Sequence, residues 1–314
     1  MSAQQKFAWL MGGIVALLSF ASLVGWLLSR AVRTPGNRVV VENLVARVRA
    51  WWVMVAVFAA VFLIGRNATL VMFGLISFFA LREFITLTPT RPGDHRPLSL
   101  AFFVIIPAQY WLIGIDWYAL FSIFIPVYAF LLLPSMSVLA EDTDRFLERT
   151  AKIQWGIMVA IYCISHVPAL LLLEIPNFGG QNALLLFYLM VVVQMSDVLQ
   201  YVSGKLFGRT KIAPVVSPSK TVEGFIGGAA GAVAIGAAMW WITPFTPLQS
   251  AAMSFVIVLM GFLGGLVLSA VKRSLGAKDW GTMIKGHGGM MDRMDSVSFS
   301  APVFFHLTRY FFTP

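Results

Sequence analysis

Long apolar runs separated by short polar stretches set the rhythm of this chain. The runs fall near 7–29, 50–65, 68–81, 98–114, 117–139, 153–173, 181–202, 222–242, 250–271 and 296–313. About 20 apolar residues in a helix cross about 30 Å of hydrocarbon, and a helix satisfies its own backbone where no water can. The pattern therefore predicts an all-α, polytopic membrane protein with about nine to ten transmembrane helices. The second and third runs are short and parted only by Arg66-Asn67, which predicts a tight helical hairpin or one broken element. Tryptophans bracket several runs (Trp9, Trp26, Trp51, Trp52, Trp111, Trp117, Trp240, Trp241) and read as interfacial anchors.

The polar stretches sharpen this picture. With the N-terminus outside, the inner loops are 30–49, 82–97, 140–152, 203–221 and 272–295, and they hold every Lys and Arg except Lys6, Arg66 and Arg309. That asymmetry is what the positive-inside rule expects, and it puts both termini on the outer side. Composition agrees: 59% of the 314 residues are hydrophobic and 12% charged, too little polar surface for a water-soluble globule. The net charge of +9 is accounted for by topology and does not call for nucleic acid. Cys163, the single cysteine, sits in an apolar run and excludes an intramolecular disulfide or a cysteine metal cluster. The run at 7–29 is long for a signal peptide and is followed by Arg30 and Arg33, so it reads as a retained first helix. The chain divides into an N-terminal transmembrane scaffold, 1–180, and a C-terminal region, 181–314, with two distinctive loops, 203–221 and 272–295.

Candidate chemistry gathers in and beside those loops. Asp197 lies at or near the end of an apolar run, where an ionisable side chain is costly unless it has a function or already reaches the interface. Ser217, Lys220 and Thr221 stand just before a helix start, a setting that suits phosphate, although Ser and Thr also cap helices. The later loop mixes Lys272, Arg273, Lys278, Lys285 and Arg293 with Asp279, Asp292 and Asp295. Its cations suit phosphates, and its carboxylates suit Mg²⁺, which shares oxygen ligands with substrate phosphates. Gly286, Gly288 and Gly289 allow close backbone approach to a phosphate. His287 suits a phosphate contact, a carboxylate-orienting role or a structural turn.

Two of these stretches resemble the phosphatidate cytidylyltransferase (CDP-diacylglycerol synthase) family. Ser269 through Asp295 is similar to its signature: Ser, Lys272-Arg273, Lys278-Asp279, His287-Gly288-Gly289 and Asp292-Arg293-x-Asp295. Asp197, Tyr201, Gly204, Gly208 and Ser217-Pro218-x-Lys220-Thr221-x-Glu223-Gly224 resemble the family's preceding loop in order and distance. The likeness is clear over about 190–300. Departures mark a divergent bacterial-type branch. The run Gly264-Gly265-Leu266-Val267-Leu268-Ser269 has Gly265 and Leu268 where the family usually has aspartate and glutamate. Gln200 replaces a usual alanine, and Lys285 a usual proline.

The resemblance implies condensation of CTP with phosphatidate, or a related lipid phosphate, to give CDP-diacylglycerol and pyrophosphate. It implies Mg²⁺, with a second metal ion as an option, and no general base of unusual strength. Asp279, Asp292, Asp295 and Asp197 are then the metal candidates. Lys220, Lys272, Arg273, Lys278 and Arg293 contact phosphates. Gly288 and Gly289 give backbone access, Ser217 and Thr221 assist phosphate binding, and His287 belongs to the catalytic set. Partners would be CTP, the lipid phosphate and membrane lipids, with a homodimer as an option. The expected location is the bacterial cytoplasmic (inner) membrane, with the motif loops facing the cytoplasm. A cytidylyltransferase for another lipid phosphate, or a noncatalytic lipid-binding paralogue motivated by Gly265 and Leu268, remain the alternatives.

Overall fold

A computed structural model of the chain describes residues 2–31, 35–283 and 288–314. Among the described residues, eight helices are long and apolar enough to cross a bilayer: α1 (Ala3–Ala31), α2 (Pro35–Ile64), α3 (Arg66–Leu87), α4 (Pro92–Gly114), α5 (Tyr118–Val138), α6 (Phe146–Leu172), α7 (Asn182–Phe207) and, later, α9 (Pro247–Ser274). The shorter apolar α8 (Val222–Ala238) and the less apolar α10 (Met291–Phe312) complete the set. The chain is an all-α, multi-pass membrane protein.

The second and third runs are two helices, not one. They are parted by Gly65 at φ +110°, a conformation that an L side chain rarely adopts. Residues 35–49, expected as a basic loop, instead continue α2 outward, with an exposed Arg38–Glu42 pair at 3.2 Å. A 30-residue helix is about 45 Å long, more than hydrocarbon requires, so its charged end projects beyond the bilayer.

Contacts assign the loops to two ends of the bundle. At one end, Arg149 is buried and reaches Asp94 (3.2 Å) and Asp142 (2.9 Å), joining the α3–α4 and α5–α6 connections. Glu83, near the end of α3, accepts hydrogen bonds from the Met290 and Met291 amides, both at 2.9 Å. At the opposite end, the start of α1 meets the end of α2 through stacked Phe7 and Phe62, and Arg66 pairs with Asp116. Arg309, near the chain's end, lies 3.7 Å from the Tyr118 ring. Both termini therefore share one end and the motif loops occupy the other.

One hydrophobic core runs through N- and C-terminal segments alike, from Phe73 and Leu81 of α3 to Phe304 and Phe305 of α10. Tight packing is concentrated at α7 and α8. A side chain on Gly228 would bring its Cβ to 2.5 Å from the Gln200 backbone nitrogen, so small residues let these backbones approach. Gly228→Val should destabilise the fold by about 1–3 kcal/mol through overpacking. Gly12→Ala, which meets nothing within 4 Å, is the neutral control, and detergent-solubilised thermal melts compare the two.

Between α7 and α8 the chain forms a small antiparallel ribbon, β1 (Lys211–Ala213) and β2 (Ser217–Thr221), where only a loop of defined path was expected. An isolated two-stranded ribbon is marginal in water. Glu223 supports this one by accepting from the Arg209 amide (2.9 Å) and the Thr210 amide (3.1 Å).

Candidate functional site

Three helices and the ribbon bring the site together. On α7, Gln194, Asp197, Tyr201 and Lys205 recur at three- and four-residue spacing and so share a face. α9 passes beside it with Phe262 and Gly265. α10 supplies Asp292, Arg293, Asp295 and Ser296 on its first turns, and β2 supplies Lys220. A cavity of about 200 Å³ is lined by Gln194, Asp197, Lys220, Gly265, Asp292, Arg293, Asp295 and Ser296.

Its centre is a pair of carboxylates around one hydroxyl. Ser296 Oγ lies 3.2 Å from Asp197 Oδ1 and 3.4 Å from Asp295 Oδ1. Asp295 Oδ1 also accepts from the Ser296 amide at 2.7 Å. Two carboxylates this close repel one another, and a cation between or beside them removes that cost. Lys220 and Arg293 border the same space. Burial pulls the Lys220 ammonium below the usual lysine range, Asp197 and Asp295 oppose that shift, and Lys272 adds to it. The Lys220 Nζ stands 2.9 Å from where a Cβ on Gly265 would be, so it occupies the space that a side chain at 265 would enter.

Asp292 is committed differently. One of its oxygens accepts from Lys272 Nζ at 2.6 Å; the other accepts from the amides of Trp280 (2.8 Å) and Gly289 (2.9 Å). Lys272 and Asp292 are both buried, so each depends on the other for its charge. Gly288 adopts φ +80°, and a side chain there would press on the Asp292 carboxylate. This carboxylate braces the glycine-rich loop against the end of α9 and the start of α10.

The remaining sequence candidates lie in varied places. Thr221 caps α8: its hydroxyl accepts from the Gly224 amide at 3.1 Å, and the residue is buried. Ser217 begins β2 opposite Ala213 and lines neither this cavity nor the lysine-rich one described below. Arg273, Lys278 and Asp279 are exposed and do not line the carboxylate cavity. Arg273 donates to the Ala277 carbonyl at 3.1 Å. His287, with Lys285 and Gly286, lies outside the described residues. Among the described residues, no three His, Cys, Asp or Glu side chains converge as a metal-holding group. The hard-oxygen set that does converge is Asp197, Asp295 and Ser296.

Sequence reading passed over Glu83. It lies on α3, in the segment taken as scaffold, yet its carboxylate receives the first amides of α10. A side chain on Gly281 would meet Glu83 Oε1 at 2.8 Å, and one on Gly289 would meet its Cδ at 2.5 Å. Beside it, Phe84 stacks on Trp280 with centroids 5.3 Å apart, and Trp280 is itself buried. α3 therefore holds the loop that carries Asp292. The local sign was a glutamate beside Arg82 at the end of an apolar run.

Comparison with known proteins identifies a family. Residues 45–311 match the sequence model of a family described as the cytidylyltransferase family. The chain is 39% identical over 302 residues to the uncharacterized protein YnbB of Escherichia coli K12, covering 95% of this chain and 96% of that one. It is 32% identical over 219 residues to a phosphatidate cytidylyltransferase of Bacillus subtilis 168, covering 68% and 77%. A phosphatidate cytidylyltransferase of Staphylococcus haemolyticus is 29% identical over 259 residues, covering 79% and 92%.

Proposed function

Because this chain belongs to the cytidylyltransferase family, we propose that it transfers the cytidylyl group of CTP to phosphatidate, giving CDP-diacylglycerol and pyrophosphate. The observation that carries this reading is the Asp197–Ser296–Asp295 cluster facing Lys220 and Arg293 in one cavity. A phosphate oxygen of the lipid attacks the α-phosphorus of CTP, the bond to the β-phosphate breaks, and pyrophosphate leaves with the electron pair. The nucleophile is already an anion, so no residue has to remove a proton. The barrier is repulsion and alignment, which fixed charges lower.

Lys220 and Arg293 hold phosphate oxygens and offset their charge. Ser296 orients the two carboxylates, and Asp292 keeps Lys272 and the glycine-rich loop in place. The resemblance implies Mg²⁺, and two carboxylates with one hydroxyl fit an ion that keeps waters and takes substrate phosphates as its other ligands. Asp197, Asp295 and Ser296 would hold it, and when bound it neutralises charge on the triphosphate and on the departing pyrophosphate. Location in a bacterial inner membrane, with this end of the bundle in the cytoplasm, is part of the same proposal and supplies CTP directly.

Purified protein with CTP, phosphatidate and Mg²⁺ should release pyrophosphate and form CDP-diacylglycerol. Absence of both products overturns the reading. Gly265 favours a second reading, a noncatalytic lipid-phosphate binder, because among the described residues two carboxylates, Asp197 and Asp295, converge on Ser296 while Asp292 is tied to Lys272. Gly265→Asp separates the two. Its Cβ comes close to the flexible end of Lys220 (2.9 Å) and makes an ordinary contact with Ser296 Oγ (3.7 Å), so the protein should fold. In an active enzyme the new carboxylate ties up Lys220 and lowers turnover about tenfold, or about 1.4 kcal/mol in barrier. In a decayed enzyme it raises activity from none. Leu268→Glu is not an equivalent change, because Leu268 is fully buried in the core. It should lower stability by more than about 2 kcal/mol, visible as a lower melting temperature.

A further inference from the structure

A second cavity, about 190 Å³, adjoins the first and shares Lys220 with it. Lys205 of α7, Lys211 of β1 and Lys220 of β2 line it, and no carboxylate does. Among the described residues none of the three lysines forms a salt bridge. Its apolar wall is Phe225 of α8 against Phe262 of α9, ring centroids 4.4 Å apart, with the Lys220 Nζ 4.6 Å from the Phe262 centroid. On the same two helices Ile226, Leu263 and Val267 are exposed, as side chains facing lipid are. Three ammonium groups with no salt bridge among the described residues, beside an apolar wall, match a phosphate monoester attached to a hydrocarbon. Gln200, Tyr201, Ser219 and Thr221 also line the cavity and can add hydrogen bonds to a phosphate headgroup.

We infer that this cavity is the lipid-phosphate subsite: Lys205, Lys211 and Lys220 grip the headgroup phosphate, and Phe225 and Phe262 carry the carbons that follow it. The assignment rests on the proposed function and divides its site. The carboxylate cavity takes the triphosphate, the lysine cavity takes the acceptor, and Lys220 stands where the two phosphates meet.

The test is a double variant, Lys205→Met with Lys211→Met, beside Lys205→Arg with Lys211→Arg and Arg293→Ala. Both lysines are exposed, so the fold should persist. The methionine variant should raise KM for phosphatidate about tenfold or more while KM for CTP stays within about twofold. The arginine variant should recover most of the loss, and Arg293→Ala should show the reverse split. A methionine variant that raises KM for CTP as much as for phosphatidate, or moves neither, overturns the inference. Binding of labelled phosphatidate in phosphatidylcholine mixed micelles without CTP gives a readout independent of turnover. The methionine variant should lose it, and inorganic phosphate should compete only weakly. Equal competition by inorganic phosphate would make the cavity a plain anion site and overturn the lipid assignment. Should wild-type protein bind phosphatidate there yet turn over no CTP, the proposed reaction fails and the subsite stands.

Discussion

Asp295→Asn and Asp197→Asn should each cut CTP-dependent pyrophosphate release by about a hundred- to a thousandfold while leaving the protein folded. Each change keeps the side chain's size and one acceptor oxygen but removes a charge from the pair around Ser296. What is lost is the negative site that holds a cation against the triphosphate, so the deficit lies in turnover. Raising Mg²⁺ should recover part of it, because weakened affinity is offset by mass action. Folding should suffer little, since removing one of two mutually repelling carboxylates relieves strain between charges. Asp292→Asn should behave in the opposite way. It strips the partner from buried Lys272, and breaking such a pair by removing one member typically costs about 3–5 kcal/mol. The melting temperature should fall first, and activity with it. Full activity and an unchanged melt in the Asp295→Asn protein would mean that the chemistry lies elsewhere.

Glu83→Gln should be nearly as damaging to turnover, although Glu83 lines neither cavity. Its two oxygens accept the Met290 and Met291 amides at the start of α10. Hydrogen bonds to a charged group are worth about 1.5–3 kcal/mol each, and the negative charge also faces the positive end of the helix. Glutamine keeps one acceptor and turns an N–H₂ toward the other amide. The first two turns of α10 carry Asp292, Arg293 and Asp295, so their loosening misplaces three site residues together. Turnover should drop by about a hundredfold. Amide hydrogen exchange at 278–283 and 288–291 should accelerate, and a residue that served only general stability would raise exchange throughout the bundle instead. Gly281→Ala, which pushes a Cβ to 2.8 Å from Glu83 Oε1, should reproduce the effect more weakly.

Much of the molecule was legible along the chain because the bilayer is an unforgiving solvent. Ten apolar runs located the ten helices of the described residues, since hydrocarbon leaves the backbone no other way to satisfy itself, but polar helix ends such as the first turns of α2 (from Pro35) and α6 (from Phe146) lay outside them. The separation of charge anticipated that the motif loops share an end and that both termini share the other: Lys220 shares a cavity with Asp292 and Asp295, the Met290 amide reaches Glu83, and at the other end Phe7 stacks on Phe62 and Arg309 lies on Tyr118. Gly65 was less legible, because a glycine in an apolar run signals a break only when its backbone torsions are seen. The β1–β2 ribbon was hidden because its support comes from Glu223 and from packing on α7, not from strand propensity.

What the sequence by itself determined is the kind of protein: an all-helical membrane bundle whose motif spacing places it in its family. Hydropathy and motif order are properties of the chain, readable in one dimension. Only the tertiary structure decided how the charged residues divide their work. Asp292 and Asp295 stand one helical turn apart with equal claims in sequence, yet one is taken by Lys272 and two amides while the other opens on a cavity with Asp197. The choice of partner for a charge depends on what lies within about 3 Å, and that distance is set by helices far apart in sequence. Glu83, 207 residues from the amide of Met290, is the extreme case.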